Sequence, residues 1–227
     1  MNWLQLTQRL KLESGRTGPA ITSLVGLPEN YARLANWLAD RWVELQRRPH
    51  GWSFMRRELE GAIVANTRGY TALALDSAAS DFGRWLPPAT EHYEVRCQNA
   101  PGRGWPLRWL PWEKFRVSFE LSEHEPGEPA YWSIAPDDKL YVGPTPLANR
   151  TIHASYYRAP TAFIDGTSEP DMAAEFHMIL VWGALMDVAS FDAAPEVYTR
   201  AATNFDNIDT DMRARYAPQI TVGFNRL

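Results

Sequence analysis

The spacing of apolar residues changes twice along the chain, and that change constrains the fold more than any motif does. Residues 1–52 read as helical, 53–163 mostly as strands and loops, and 164–216 as helical again, with a short tail at 217–227. In the first part Trp3, Leu4, Leu6 and Leu10 define a short helix that ends at Gly15. Tyr31, Leu34, Ala35, Leu38, Trp42 and Leu45 then recur at helical spacing. Pro28 stands where a first-turn proline is tolerated, and Pro49 and Gly51 stop the run. The third part carries Met172, Phe176, Ile179, Leu180, Leu185, Met186 and Ala189 on one face. From Met178 to Leu185 it is apolar nearly all round, which predicts burial among other helices. After a break at Asp192 to Pro195, a last helix carries Tyr198, Ala201, Phe205, Ile208 and Met212.

The middle reads as short strands separated by Gly, Pro, Asn and Asp: Ala62–Asn66, Tyr70–Leu75, His92–Cys97, Phe115–Leu121, Tyr131–Ile134, Leu140–Val142 and Thr151–Tyr157. The best hairpin is WSIAPDDKLYVGP, in which Pro136-Asp137-Asp138 turns the chain and Trp132 and Ile134 face Leu140 and Val142. Neither helical piece alone can bury both faces of its helices, so an inserted β domain fits better than three serial domains. The expected fold class is α+β: a helical bundle formed by the N- and C-terminal helices (1–52 and 164–216), with an inserted antiparallel β domain (53–163), a small sandwich or barrel. Residues 217–227 are expected to be an extended arm.

Charge and chemistry narrow the function. The formal net charge is −4 and no Lys/Arg-rich run occurs, whereas a duplex binder presents a basic face. Arg47-Arg48 and Arg56-Arg57 are scattered pairs. The single cysteine, Cys97, can form neither an intramolecular disulfide nor a multi-cysteine metal site. The N-terminal MNWLQLTQRLKLESG is amphipathic and charged, unlike a signal peptide. No apolar run approaches the roughly 20 residues of a bilayer span. Synthesis in a reducing cytoplasm, with no membrane, is the expectation.

Catalytic signatures are missing: no P-loop, G-x-G-x-x-G, G-x-S-x-G or H-E-x-x-H is present. His124 lies among Glu123, Glu125 and Glu128, which reads as a solvated acidic loop. His177, beside Glu175, reads as a histidine at a packing seam, and His153 has no adjacent nucleophile. His50 and His92 offer no constellation. Glu58, Glu60, Asp76 and Asp81 read as scattered surface acids rather than a glycosidase pair. Trp85, Trp105, Trp109 and Trp112 crowd one stretch with Arg108. A β-domain core with a protein-contact rim suits them better than a stacking platform. No cofactor, no metal and no enzymatic activity are expected.

Four segments in order carry a family resemblance: WLQLTQRLKLESG, then ARLANWLADRWVELQRRPHGWSFMRRELEGAIVANTRGY, then WSIAPDDKLYVGPTPLANRTIHASYYRAPTAF, and last MAAEFHMILVWGALMDVASFDAAPEVYTRAATNF. Together they resemble the head–tail adaptor (connector) proteins of tailed phages. The resemblance implies a virion protein that forms a ring, commonly a dodecamer, beneath the portal. Such a ring extends the DNA channel and docks the next tail or nozzle component, with DNA passing through the lumen without specific binding. It transfers no catalytic residues. Competing readings are another phage ring component (stopper, tail terminator or baseplate subunit) and a Trp-rich carbohydrate-binding module. The sequence QITVGFNRL has strand propensity without an evident partner in its own chain. The expected portal-binding residues are therefore Tyr216, Ile220, Val222, Phe224, Arg226 and Leu227.

Overall fold

The computed structural model describes residues 1–49, 51–86, 95–100, 103–122 and 124–217. The fold is α+β, with N- and C-terminal helices flanking a central β region. The chain divides into two compact units: residues 1–55 with 160–227, and residues 56–159.

The first unit is a helical bundle of α1 (Trp3–Glu13), α2 (Glu29–Gln46), α5 (Met178–Phe191) and α6 (Pro195–Tyr216). Asn2 starts α1 with a capping box: its side chain accepts from the Gln5 amide at 2.9 Å, and Gln5 Oε1 accepts from the Asn2 amide at 3.0 Å. The next two orphan donors, the amides of Trp3 and Leu4, go to the carbonyls of Ser168 and Gly166. α5 is the central helix and packs on α1, α2 and α6. Its buried residues, Ile179, Leu180, Val181, Gly183, Ala184, Leu185, Val188 and Ala189, ring the helix. Full burial of each Val, Leu or Ile side chain contributes about 1.5–3 kcal/mol. Gly183 sits where a Cβ would lie 3.3 Å from the Phe205 ring and 3.4 Å from Arg41, so α6 and the Arg41 stem approach closely.

The second unit is a β sandwich. One sheet centres on β9 (Arg150–Arg158), with β1 (Arg56–Ile63) antiparallel along one side. Along its other side run β3 (Phe82–Trp85) and β4 (Arg96–Ala100), and β5 (Arg103–Pro106) lies beyond β4. The other sheet has the order β2 (Gly69–Tyr70), β8 (Leu140–Gly143), β7 (Tyr131–Ile134) and β6 (Arg108–Trp109), with β6 parallel to β7. One apolar core draws on both sheets, including Leu59, Ile63, Cys97, Trp132, Leu140, Val142 and Ile152. Two sheets sharing one core make a sandwich rather than a closed barrel.

The β7–β8 hairpin has the expected register, with Trp132 opposite Val142 and Ile134 opposite Leu140. Asp138 takes the left-handed turn position, φ 59°, which Asp tolerates. Three expectations were wrong in detail. Residues 72–75 form a short helix, α3 (Ala72–Leu75), because the Thr71 hydroxyl caps the Ala74 amide at 3.1 Å and the run is Ala and Leu. Residues 115–121 are helical as well: α4 (Trp112–Phe115) continues into a wider turn at Arg116–Glu120. Phe115, Val117, Phe119 and Leu121 alternate, but Trp112, Phe115 and Phe119 also recur at helical spacing, and Phe115 and Phe119 are the ones buried. Finally, β1 begins at Arg56 rather than Ala62, because its charged residues 56, 58 and 60 alternate outward while Leu59, Gly61 and Ile63 face the core.

The helical and strand readings of residues 115–121 differ in a measurable way. A strand would put Phe119 and Leu121 on one face. The helical geometry buries Phe119 and leaves Leu121 67% exposed. Phe119→Ala should therefore cost about 3–5 kcal/mol in urea unfolding, and Leu121→Ala no more than about 0.5 kcal/mol. Equal losses would contradict the helix.

Candidate functional site: interaction surfaces

Ion pairs set the helices of the first unit in register. Arg41 on α2 grips Asp187 on α5 in a fork, with Nε to Oδ2 at 2.8 Å and Nη2 to Oδ1 at 2.5 Å. The Asp187 hydrogen bond raises the Arg41 pKa above its ordinary value, so this cation is permanent. Arg48, just past α2, and Arg213 converge on the buried Asp209 of α6. These charges serve packing and are spoken for within the unit.

Expected site residues fall into two groups. Tyr216, the last residue of α6, is held by its own unit. Its hydroxyl accepts the Ala173 amide at 3.0 Å, and its ring meets Phe54 edge-on at 5.2 Å and Phe176 at 5.5 Å. Tyr216 is thus the anchor from which the tail departs. Ile220, Val222, Phe224, Arg226 and Leu227 lie outside the described residues, as do His50, His92 and Glu123.

His177 and His124 stand apart, and Asp76 and Asp81 have their own local partners. His177 sits at a seam, 2% exposed, with Nε2 bonded to the Met172 carbonyl at 3.0 Å and Nδ1 2.7 Å from the Met1 nitrogen. Burial lowers its pKa below the ordinary 6.5. His124 is exposed, against the Phe119 ring. Asp81 accepts the Tyr156 hydroxyl at 2.6 Å, and Asp76 accepts the Ala78 amide. Burial, with Asp81 second, pushes the Tyr156 hydroxyl up to about 12. No cluster of three metal-ligating side chains occurs among the described residues.

The tryptophans are committed to their own chain. The Trp85 indole donates to the Asp138 carbonyl at 2.7 Å, and Trp105 to that of Pro129 at 2.7 Å. Trp109 packs edge-on against Trp132 at 4.6 Å, and Trp112 lies between Phe115 and Tyr141. They seal the sandwich and present no common stacking plane.

Sequence reasoning missed one feature. Glu58 and Glu60 of β1, His153 and Ser155 of β9, and Arg96 of β4 line a groove of about 610 Å³ on the outer sheet face. His153 Nε2 is 3.0 Å from Gln98 Oε1, and its Nδ1 is 3.8 Å from Glu60. The period-two charges of residues 56–60 were the available signal. The groove is open and mixed in charge, a polar contact surface rather than an enclosed pocket.

Ala174–Phe191 is apolar enough by composition to cross a membrane. It contains α5, and three helices of the bundle pack around that helix.

These features define a two-unit α+β protein whose outward character is surface. The SU10 adaptor protein family model matches residues 1–222, and the chain belongs to that family. It is accordingly a phage adaptor protein, a structural component of the virion that contacts other virion components. No curated protein matches the chain.

The folded-state pKa of His177 lies below its free value, so as pH falls the unfolded chain takes up the proton first. Stability from neutral His177 is full above pH 6.5 and is lost progressively as pH falls below it. Between pH 7 and pH 5 the thermal midpoint should drop less in His177→Gln than in the wild type. Parallel curves would remove His177 from the acid response.

Proposed function

We propose that this chain forms a closed homo-oligomeric ring, a dodecamer by resemblance, that docks on the portal at the head–tail junction. The ring extends the DNA channel and presents a surface to the downstream tail or nozzle protein. The observation that carries this reading is the adaptor-family match along nearly the whole chain. The helical unit supplies the lateral contacts of the ring, the β unit supplies surface toward the tail, and residues 217–227 act as an arm on the portal. Net charge −4 suits passage of DNA, since a lumen dense in Lys and Arg would grip phosphates through counterion release. The protein works without cofactor or catalysis, is made in the host cytoplasm and resides in the virion.

The arm reading rests on the strand-like sequence after Tyr216, which strand addition or groove docking would satisfy. Because Tyr216 closes the bundle, deleting 217–227 should leave circular dichroism and the thermal midpoint close to wild type. Portal binding by the truncated chain should be lost; binding at wild-type strength would refute the arm.

The isolated chain should be a monomer, and the ring should form on the portal, because ordering the arm and pairing small lateral faces cost entropy. Light scattering of the purified protein checks this, and stable free rings would contradict it.

A further inference from the structure

The outer face of the β9 sheet carries opposite charges that do not meet. Glu58 and Glu60 of β1 point outward, while Leu59 between them is buried. Strand register puts Glu60 beside His153 of β9, and His153 beside Arg96 of β4, so the three make one row across the sheet. Two strand spacings separate the ends of that row, about 9.5 Å between backbones. Glu60 Oε2 makes only a long contact with His153 Nδ1, at 3.8 Å. Among the described residues neither Glu58 nor Arg96 has an ion-pair partner. Arg56, the other cation on the β1 side, donates from Nη2 to Ser155 Oγ at 3.1 Å.

The space between these charges is the groove of about 610 Å³. His153 and Gln98 line it and meet at 3.0 Å between Nε2 and Oε1. On β5, Gly104 stands opposite Gln98, and a Cβ there would lie 3.3 Å from the Gln98 Cβ. Any larger residue would crowd Gln98, so glycine keeps that side of the groove open. The reverse face of the same strands is core: Leu59, Cys97, Ile152 and Ala154 are at most 4% exposed. The charges therefore stand on a support that a partner does not have to order.

We propose that this groove is where the β unit takes a segment of the downstream tail or nozzle protein, one that brings a Lys or Arg to Glu58 and Glu60 and an Asp or Glu to Arg96. This inference rests on the ring reading above, with the β unit toward the tail. The charge arrangement selects that occupant. A small ligand needs most of its surface enclosed, which an open groove does not provide. DNA, or any other polyanion, would gain at Arg96 and lose at Glu58 and Glu60. A protein segment can carry both signs at the right separation, since about 9.5 Å is three residues of extended chain. Two opposite pairs then fix the direction in which the segment crosses the sheet, because the reversed segment meets like charges at both ends. Glu58 and Arg96 are exposed before contact, and each gains a counter-charge on it, so no charge is buried alone.

Exchanging the two ends of the row tests the polarity. Glu60→Arg with Arg96→Glu keeps the net charge and alters only exposed side chains, so the thermal midpoint should match wild type. The exchanged chain should still form rings on the portal of the same particle, as seen by electron microscopy. Affinity of those rings for the downstream protein of that particle, measured by surface plasmon resonance, should fall at least tenfold. Glu60→Gln with Arg96→Gln, which introduces no repulsion and no new charge, should bind more weakly than wild type and more tightly than the exchanged chain. Wild-type affinity in either variant, on intact rings, would overturn the proposal. So would loss of ring formation or of portal binding in a folded exchanged chain, which would give the groove to a neighbouring copy or to the portal. If the wild type forms no ring on the portal, or its rings bind no downstream protein, the ring reading itself fails and the proposal with it.

Discussion

The helical unit depends on burying α5. An apolar helix of fourteen residues has no stable exposed state, and α1 with α2 cover only part of its circumference. α6, which follows it across a tight corner, covers another part. The corner places Ala193 at φ 52°, a position that costs a non-glycine residue about 1–2 kcal/mol. The Ala194 amide returns to the Ala189 carbonyl at 2.8 Å and so satisfies one of the helix's last acceptors. The strain is tolerated because it turns α6 back onto α5. Since α1 and α2 precede the β unit and α5 and α6 follow it, the core of the bundle closes only when both ends of the chain are present.

Hydrophobic burial holds the bundle together without fixing how far one helix slides along another. The ion pairs supply that information. Arg41 is forked to Asp187, so α2 and α5 cannot shift by a turn without leaving a half-buried charge unpaired, a loss larger than the pair's own net gain. Arg48, just past α2, does the same for α6 through Asp209. The sandwich is set differently. Its register follows from period-two burial, since a one-residue slip of β1 would expose Leu59 and Ile63 and bury Glu58 and Glu60.

The sequence was most legible where one physical signal dominated. The α5 run, the β7–β8 turn and Pro195 at the start of α6 each follow from a single rule about burial, turn chemistry or proline. It was least legible where two rules competed. In Phe115–Leu121 the apolar residues satisfy period two and a helical spacing together, and only the neighbouring Trp112 and the preceding Pro111 favour the helix. In Arg56–Ile63 four charges hid a strand whose inner face is only Leu59, Gly61 and Ile63. Long-range pairings such as Arg41 with Asp187 have no local signature at all, because the partners are set by the packing they then lock. The polar groove shares that character: Glu60, His153 and Arg96 are neighbours only through strand register.

The placement of polarity separates what the molecule keeps for itself from what it offers. Tryptophan indoles that could have served as contact rings donate to backbone carbonyls or pack edge-on against one another. Arg16, Arg33 and Arg41 of the bundle are matched with carboxylates. Outward lie aliphatic and aromatic side chains at a few points, one mixed-charge sheet face, and acids of α6 such as Asp206 and Asp211. Where the apolar points meet a partner, the contact is shape-matched, because they sit on hydrogen-bonded supports that need little ordering. For an adaptor this has a mechanical consequence. Contacts of that kind weaken little with ionic strength, unlike exposed ion pairs, so a junction built on them would hold across the salt range a particle meets.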